Sequence, residues 1–354
     1  MNIRKISLLL IAIIVFPLVV QAQSLEETVA KLSTVAAQKY VEPAITAFGS
    51  NLNSGWINQV PQAKTLDFDL NIKIVGMGTF LNDKAKTFST AGMFRFTSSQ
   101  ADNILANSGI TSSHPAYASA KQELLSKEWS VNFSGPTIIG KENDHLKIVF
   151  PGGTVSGVTL NQYTETVDEV KGLLDELPIL PMACPQVTIG TVMGTSVSVR
   201  YFPSVELDKK LGKLTFGGFG IIHNPAVWLD NPLPVDFGIG YFYQKLKIGD
   251  ILESDATQYG VFVSKTIGTT IALTPYAGFV IEDSKTTIKY DYEYNAVVNG
   301  AVVNVKDKIN FELKGENSSA FLVGATIKLA VLNLNVDYKM AKYKTLSAGV
   351  SFGF

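Results

Sequence analysis

Three histidines, His114, His145 and His223, are the side chains best suited to hold a metal or move a proton, and their spacing argues against both uses. None sits in an HExxH pair or beside another histidine, so a shared metal site has no local framework. His223, in Ile-Ile-His-Asn-Pro, reads as a strand-end residue meeting water. The serines from Ser126 to Ser134, and those near His114, include no GxSxG elbow, and nothing in the sequence fixes a base beside a nucleophile. Cys184 lies in a proline-rich stretch without a neighbouring Lys, Arg or His to make it a reactive thiolate, so it reads as a small hydrophobe. Gly76-Met-Gly78 and Gly217-Gly-Phe-Gly220 are not followed by a helix start, as a phosphate loop requires, and glycines in strands mark bends or close packing. The expectation is a chain that is not an enzyme and takes no metal or cofactor.

Arg200 is the charged residue with the most to offer. It lies between Val199 and Tyr201, so if those two face lipid it points into a lumen, where it could pair with a carboxylate such as Asp337 or steer a ligand. The elements that must position it are therefore strands of a barrel. In Val331 to Met340, Leu332, Leu334, Val336, Tyr338 and Met340 share one face, while Asn333, Asn335, Asp337 and Lys339 share the other. One face suits hydrocarbon and the other a wet interior. The chain's last residues repeat the pattern: Leu346, Ala348, Val350, Phe352 and Phe354 alternate with Thr345, Ser347, Gly349, Ser351 and Gly353. This final segment reads as a closing strand that pairs with Val331 to Met340 on one side and with the first strand, near Leu66 to Ile74, on the other. That register predicts that Val350→Asp impairs membrane assembly while Ser351→Ala matters little.

The composition agrees. Charged residues make up 17% and hydrophobic residues 46%, yet no segment after residue 22 approaches a transmembrane helix, so the apolar excess is spread over short segments. Residues 1–22 read as a secretory signal, with Arg4 and Lys5, an apolar run from Ile6 to Val20 and small-residue processing chemistry ending at Ala22. Removing that segment takes two of the 30 basic residues, leaving 28 against 31 acidic and a net charge near −3, which disfavours nucleic acid as a partner. Thirteen tyrosines would suit interfacial girdles.

Along the chain, Ser24-Leu-Glu-Glu27 has capping-box spacing, and Leu25, Val29, Leu32, Ala36 and Tyr40 continue at helical spacing. A helix over about 25–47 is expected, within a plug or periplasmic segment spanning 23–58. The remainder, 59–354, reads as one antiparallel all-β barrel of about 12–14 strands with a long polar loop at 97–127. The expected strands lie near 65–74, 88–96, 186–202, 213–223, 234–248, 256–266, 269–282, 285–295, 306–315, 318–329, 331–341 and 344–354. A short helix is expected over 167–180, ended by Pro178 and Pro181.

The second half resembles a large uncharacterised family of exported Bacteroidota proteins, which in turn resembles the outer-membrane fatty-acid and hydrocarbon transporter barrels. The likeness is carried by Pro185-Gln186, Val199-Arg-Tyr-Phe-Pro203, Gly217-Gly-Phe-Gly-Ile-Ile-His223, Leu233-Pro-Val-Asp236, Ser264-Lys-Thr266 and Tyr276-Ala-Gly278. The transporter resemblance implies 14 strands, an N-terminal plug, and hydrophobic ligands captured outside and released laterally or through the lumen. In that family an Asn-Pro-Ala motif lies near the mature N-terminus, whereas here Asn224-Pro225-Ala226 is mid-chain. The expected function is passive transport of small hydrophobic molecules across the cell outer membrane. Outer-membrane lipid, the barrel-assembly machinery and a small apolar ligand are the expected partners. The rivals are a non-transporting surface or assembly barrel and an outer-membrane lipid hydrolase.

Overall fold

The computed structural model describes residues 34–175, 177–208, 212–230, 233–298 and 301–353. The expected signal, the first residues of the expected helix and Phe354 lie outside the described residues. Helix α1 (Thr34–Leu52) leads by an irregular segment to β1 (Leu66–Phe80). Residues 81–178 then fold as an insert: β2 (Thr87–Phe94), α2 (Ser98–Asn107), α3 (Tyr117–Ser126), β3 (Trp129–Pro136), β4 (Leu146–Phe150), β5 (Gly153–Val155), β6 (Val158–Leu160) and β7 (Tyr163–Val167). The rest is strand after strand: β8 (Ile179–Val192), β9 (Thr195–Asp208), β10 (Gly212–His223), β11 (Asp236–Ile248), β12 (Leu252–Ser264), β13 (Ile267–Gly268), β14 (Ile271–Val298), β15 (Ala301–Lys314), β16 (Ser319–Leu329), β17 (Leu332–Met340) and β18 (Thr345–Gly353).

Antiparallel pairing runs from β1 through β8, β9, β10, β11, β12, β14, β16, β17 and β18, and β18 returns to β1. The result is a closed antiparallel barrel of ten strands rather than 12–14. Three features account for the difference. The expected strand at 88–96 belongs to the insert's own sheet, β2-β3-β4-β7. The expected strands at 269–282 and 285–295 are one 28-residue strand, β14. The pieces β15 and β16 lie end to end along its same side, pairing with Lys285 to Val298 and Ile271 to Ile281 respectively. In the opposite sense, the expected 186–202 strand is a hairpin, turned at Met193-Gly194 where Gly194 has φ +67°.

The seam follows the expected register. Ile72 lies opposite Phe352 and Ile74 opposite Val350, all four facing outward and exposed. Leu346 and Ala348 share that face, and Val187, Val199, Ile221, Ile239, Val261, Phe279, Val323 and Val336 continue it around the ring. A continuous apolar exterior of this extent is what a barrel presents to hydrocarbon, because the closed ring leaves no open sheet edge.

The two ends differ. One carries the turns at Met193-Gly194, 265–270 and Ala330-Val331, and the short 3-10 turn Pro225–Trp228 after β10. The other carries Gly249 to Ile251, Ala341 to Lys344, the projecting β14–β15 ribbon and the insert. The stretch 97–127, expected as a long polar loop with a short helix possible over 116–126, holds that helix, α3, and a second one, α2. Thr97 and Gln100 cap α2 reciprocally, and Tyr117 and Lys121 of α3 hold Asp102 of α2 at 2.6 and 2.8 Å. Among the described residues, 168–175 form no helix; Leu173 and Leu174 N–H groups instead bond Ile138 O. Ala36, Tyr40, Val41 and Ile45 of α1 join Phe94, Phe133, Leu146 and Phe150 in one core that caps the barrel. Ile288 and Phe311 of the ribbon turn into that core rather than toward lipid.

A lipid-facing charge should break this arrangement selectively. Val350→Arg is expected to destabilise the barrel by about 2–4 kcal/mol, read as a lower urea midpoint in lipid vesicles and loss of the heat-modifiable gel shift. Ser351→Ala removes the 3.0 Å bond from Asn71 and should cost about 1 kcal/mol.

Candidate functional site: a lumen filled by its own chain

The helix α1 enters the barrel at the cap end, and residues 50–61 continue along the lumen to the opposite end. Its carboxyl-terminal turn leaves carbonyls without intrahelical partners and carries the negative end of the helix dipole. The barrel wall supplies cations there. Lys339 Nζ donates to Ser50 O at 3.0 Å, Arg200 Nη2 to Ser54 O at 2.9 Å and Lys73 Nζ to Gly55 O at 2.8 Å. Neutral donors continue the series: Gln186 Nε2 to Trp56 O at 3.0 Å, Thr326 Oγ1 to Asn58 O at 2.6 Å and Asn224 Nδ2 to Pro61 O at 2.8 Å. Five wall side chains, with Asn224 from the turn after β10, thus hold six carbonyls along one short segment.

Each cation is further satisfied. Arg200 donates Nε to Gln186 and Nη1 to Gln244, and its guanidinium lies 3.7 Å from the centroid of the Trp56 ring. Arg stacked on Trp gains about 0.5–2 kcal/mol, more as the pair is desolvated. Lys339 forms a buried pair with Glu282 at 2.8 Å, and Lys73 also donates to Asn58 Oδ1 at 2.6 Å. Asp337, named as a partner for Arg200, instead accepts from Tyr276 at 3.3 Å. Asn335, Asp337 and Lys339 are buried and face inward, and Asn333 lines the cavity at the turn end.

Apolar side chains fill what the polar contacts leave. Toward the cap, Leu52 packs with Val75, Met77, Met182, Phe202 and Phe216, and Cys184 lies fully buried among them. Toward the turn end, Trp56, Ile57 and Val60 pack with Ile222, Phe242 and Phe262. A blind cavity of about 420 Å³ opens beyond them at the turn end, lined among others by Asn58, Gln59, Asn71, Gln186, Thr188 and Asp69. His223 bonds Thr195 across β9 and β10 at 2.9 Å, and no group of three or more potential metal ligands occurs among the described residues.

Sequence reasoning placed Arg200 inward and set Lys73 on the polar face of the first strand, but gave no role to Lys73, Gln186, Gln244 or Glu282. The signal was present: each is a polar residue on the inward phase of an alternating strand, as in Asn71-Ile-Lys-Ile74.

The profile of a family of unknown function, DUF6588, matches residues 2–354. The chain belongs to this family. No curated protein matches the DUF6588 chain. Among solved structures it is similar to Ail, the attachment invasion locus protein of Yersinia pestis, at 7% identity over 82% of this chain and 100% of that one, with a TM-score of 0.21. It is also similar to the Ralstonia pickettii toluene transporter TbuX, at 10% identity over 90% and 92% with a TM-score of 0.21. A third is the loop-deleted OmpT of Vibrio cholerae, at 8% identity over 81% and 99% with a TM-score of 0.23. Likenesses this low carry no argument about what the DUF6588 chain does.

Two expectations follow from the packing. Glu282→Gln strands the Lys339 ammonium in the interior and should cost about 3–5 kcal/mol, with much of the loss recovered in Glu282→Gln/Lys339→Met, as a double-mutant cycle in vesicles will read. Gly55 has φ +68° and a Cβ there would meet Val75 Cγ2 at 2.7 Å, so Gly55→Ala should lower stability by about 1–3 kcal/mol.

Proposed function

We propose that the chain is a plugged, non-conducting outer-membrane barrel that anchors the 81–178 domain at one membrane face. The observation that carries this reading is the set of six side-chain-to-carbonyl bonds, which hold 50–61 along the lumen. A segment meant to leave on each transport cycle would have to break all of them and strand buried Lys73, Arg200 and Lys339. The apolar exterior supports residence in a bilayer, with membrane lipid and the barrel-assembly machinery as partners, and the absence of helical spans among the described residues is compatible with crossing by strands.

Passage of small hydrophobic molecules is the second reading. It requires a continuous apolar path, whereas the open space here mixes polar side chains such as Asn58, Asn71 and Thr188 with Ile57, Trp56 and Phe242. We keep the chain as a non-enzyme, because the hydroxyl–imidazole contact of Thr195 and His223 is a cross-strand pair at the end of two strands.

Single-channel recording and toluene uptake into proteoliposomes test the proposal. The full chain should show no steady conductance and no uptake above empty vesicles. The Trp56→Ala/Arg200→Ala variant, with its plug loosened, should flicker open. Steady ion conductance or toluene flux through the unaltered chain would overturn the anchoring role in favour of transport.

A further inference from the structure

The same twelve residues that fill the lumen also connect its two ends. Tyr40 of α1 lies in the cap, where its hydroxyl donates to Lys171 O at 2.7 Å and its carbonyl accepts from Ile138 N at 2.9 Å. Lys64, by contrast, lies at the turn end, where its carbonyl accepts from Gly194 N at 3.0 Å. Twelve residues reach at most about 40 Å when extended, and a hydrocarbon core is about 30 Å thick. The segment therefore crosses whatever the barrel crosses.

Sidedness follows from the loops. Outer-membrane barrels keep short turns on the periplasmic side and long excursions outside. Here Met193-Gly194 and Ala330-Val331 turn tightly at one end, and the insert and ribbon leave from the other. We propose that the chain carries its own N-terminal helix across the outer membrane through its own barrel, so that α1 and residues 81–178 together form one domain on the cell surface. This rests on the plugged-barrel reading.

The shared core is the second support. Ala36, Ala37, Tyr40, Val41 and Ile45 are each buried against the insert. An insert folded outside without α1 would leave that apolar surface open to water, and α1 left in the periplasm could not reach it. Display of the insert and passage of the helix are thus one event.

Cysteine labelling with a membrane-impermeant maleimide on whole cells tests this. Lys39 and Lys84 are exposed on the cap side, Lys64 and Asp230 on the turn side, and fully buried Cys184 supplies the unlabelled baseline. Lys39→Cys and Lys84→Cys should label on intact cells, and Lys64→Cys and Asp230→Cys only after the outer membrane is permeabilised, with at least a tenfold change in signal. Labelling of Lys64→Cys and Asp230→Cys alone on intact cells would overturn the sidedness. Labelling of Lys39→Cys and Lys64→Cys under the same condition would overturn the crossing. Failure of the barrel reading itself would show separately, as protein missing from the outer-membrane fraction.

Discussion

Everything in this fold depends on how a helix end is neutralised inside a closed ring of strands. The carbonyls of Ser50, Ser54 and Gly55 would be intolerable in a dry interior without donors, and Lys339, Arg200 and Lys73 would be intolerable there without acceptors. Each set makes the other possible. The cations come from β17, β1 and β9, alternate strands of one half of the ring, so the charged grip on the helix end comes from that side. Glu282 and the stacked Trp56 ring take up the charge that carbonyl dipoles leave unmatched.

The barrel consequently has two apolar systems with opposite duties. Outside, residues such as Val187, Val261 and Val336 stand exposed and need a non-aqueous surround. Inside, Leu52, Met77, Phe216 and Phe242 pack as the core of a soluble domain does. The cap repeats the soluble plan once more, with α1 bridging the two regions through Tyr40 above and Leu52 below.

Local alternation made the β17–β18 end legible, because Asn335, Asp337 and Lys339 and the outward Leu346 to Phe352 each obey a period of two. The helix was legible from the spacing of Ala36 and Tyr40, although it runs on to Leu52 rather than ending near 47. What escaped was non-local or interrupted. The 186–202 stretch hides a turn because Met193-Gly194 lies between two segments of like pattern, and β14 reads as two strands because its apolar face changes partner from lipid to cap near Ile288. The contacts of Arg200 with Ser54 and of Lys339 with Ser50 join residues 146 and 289 positions apart, a distance that periodicity does not address.

The wall grips main-chain oxygens, which every residue type carries. The lumen therefore moulds a path through main-chain contacts and fixes its register through a few side chains, Ser50, Asn51, Trp56 and Asn58. Drift in the identity of solvent-side plug residues such as Gln59 leaves the six contacts in place. Space sets the exceptions: at Gly49 any Cβ would fall 2.1 Å from the Ser284 hydroxyl. A barrel built this way can change the surface chemistry of its vestibule without reopening the question of how it stays shut.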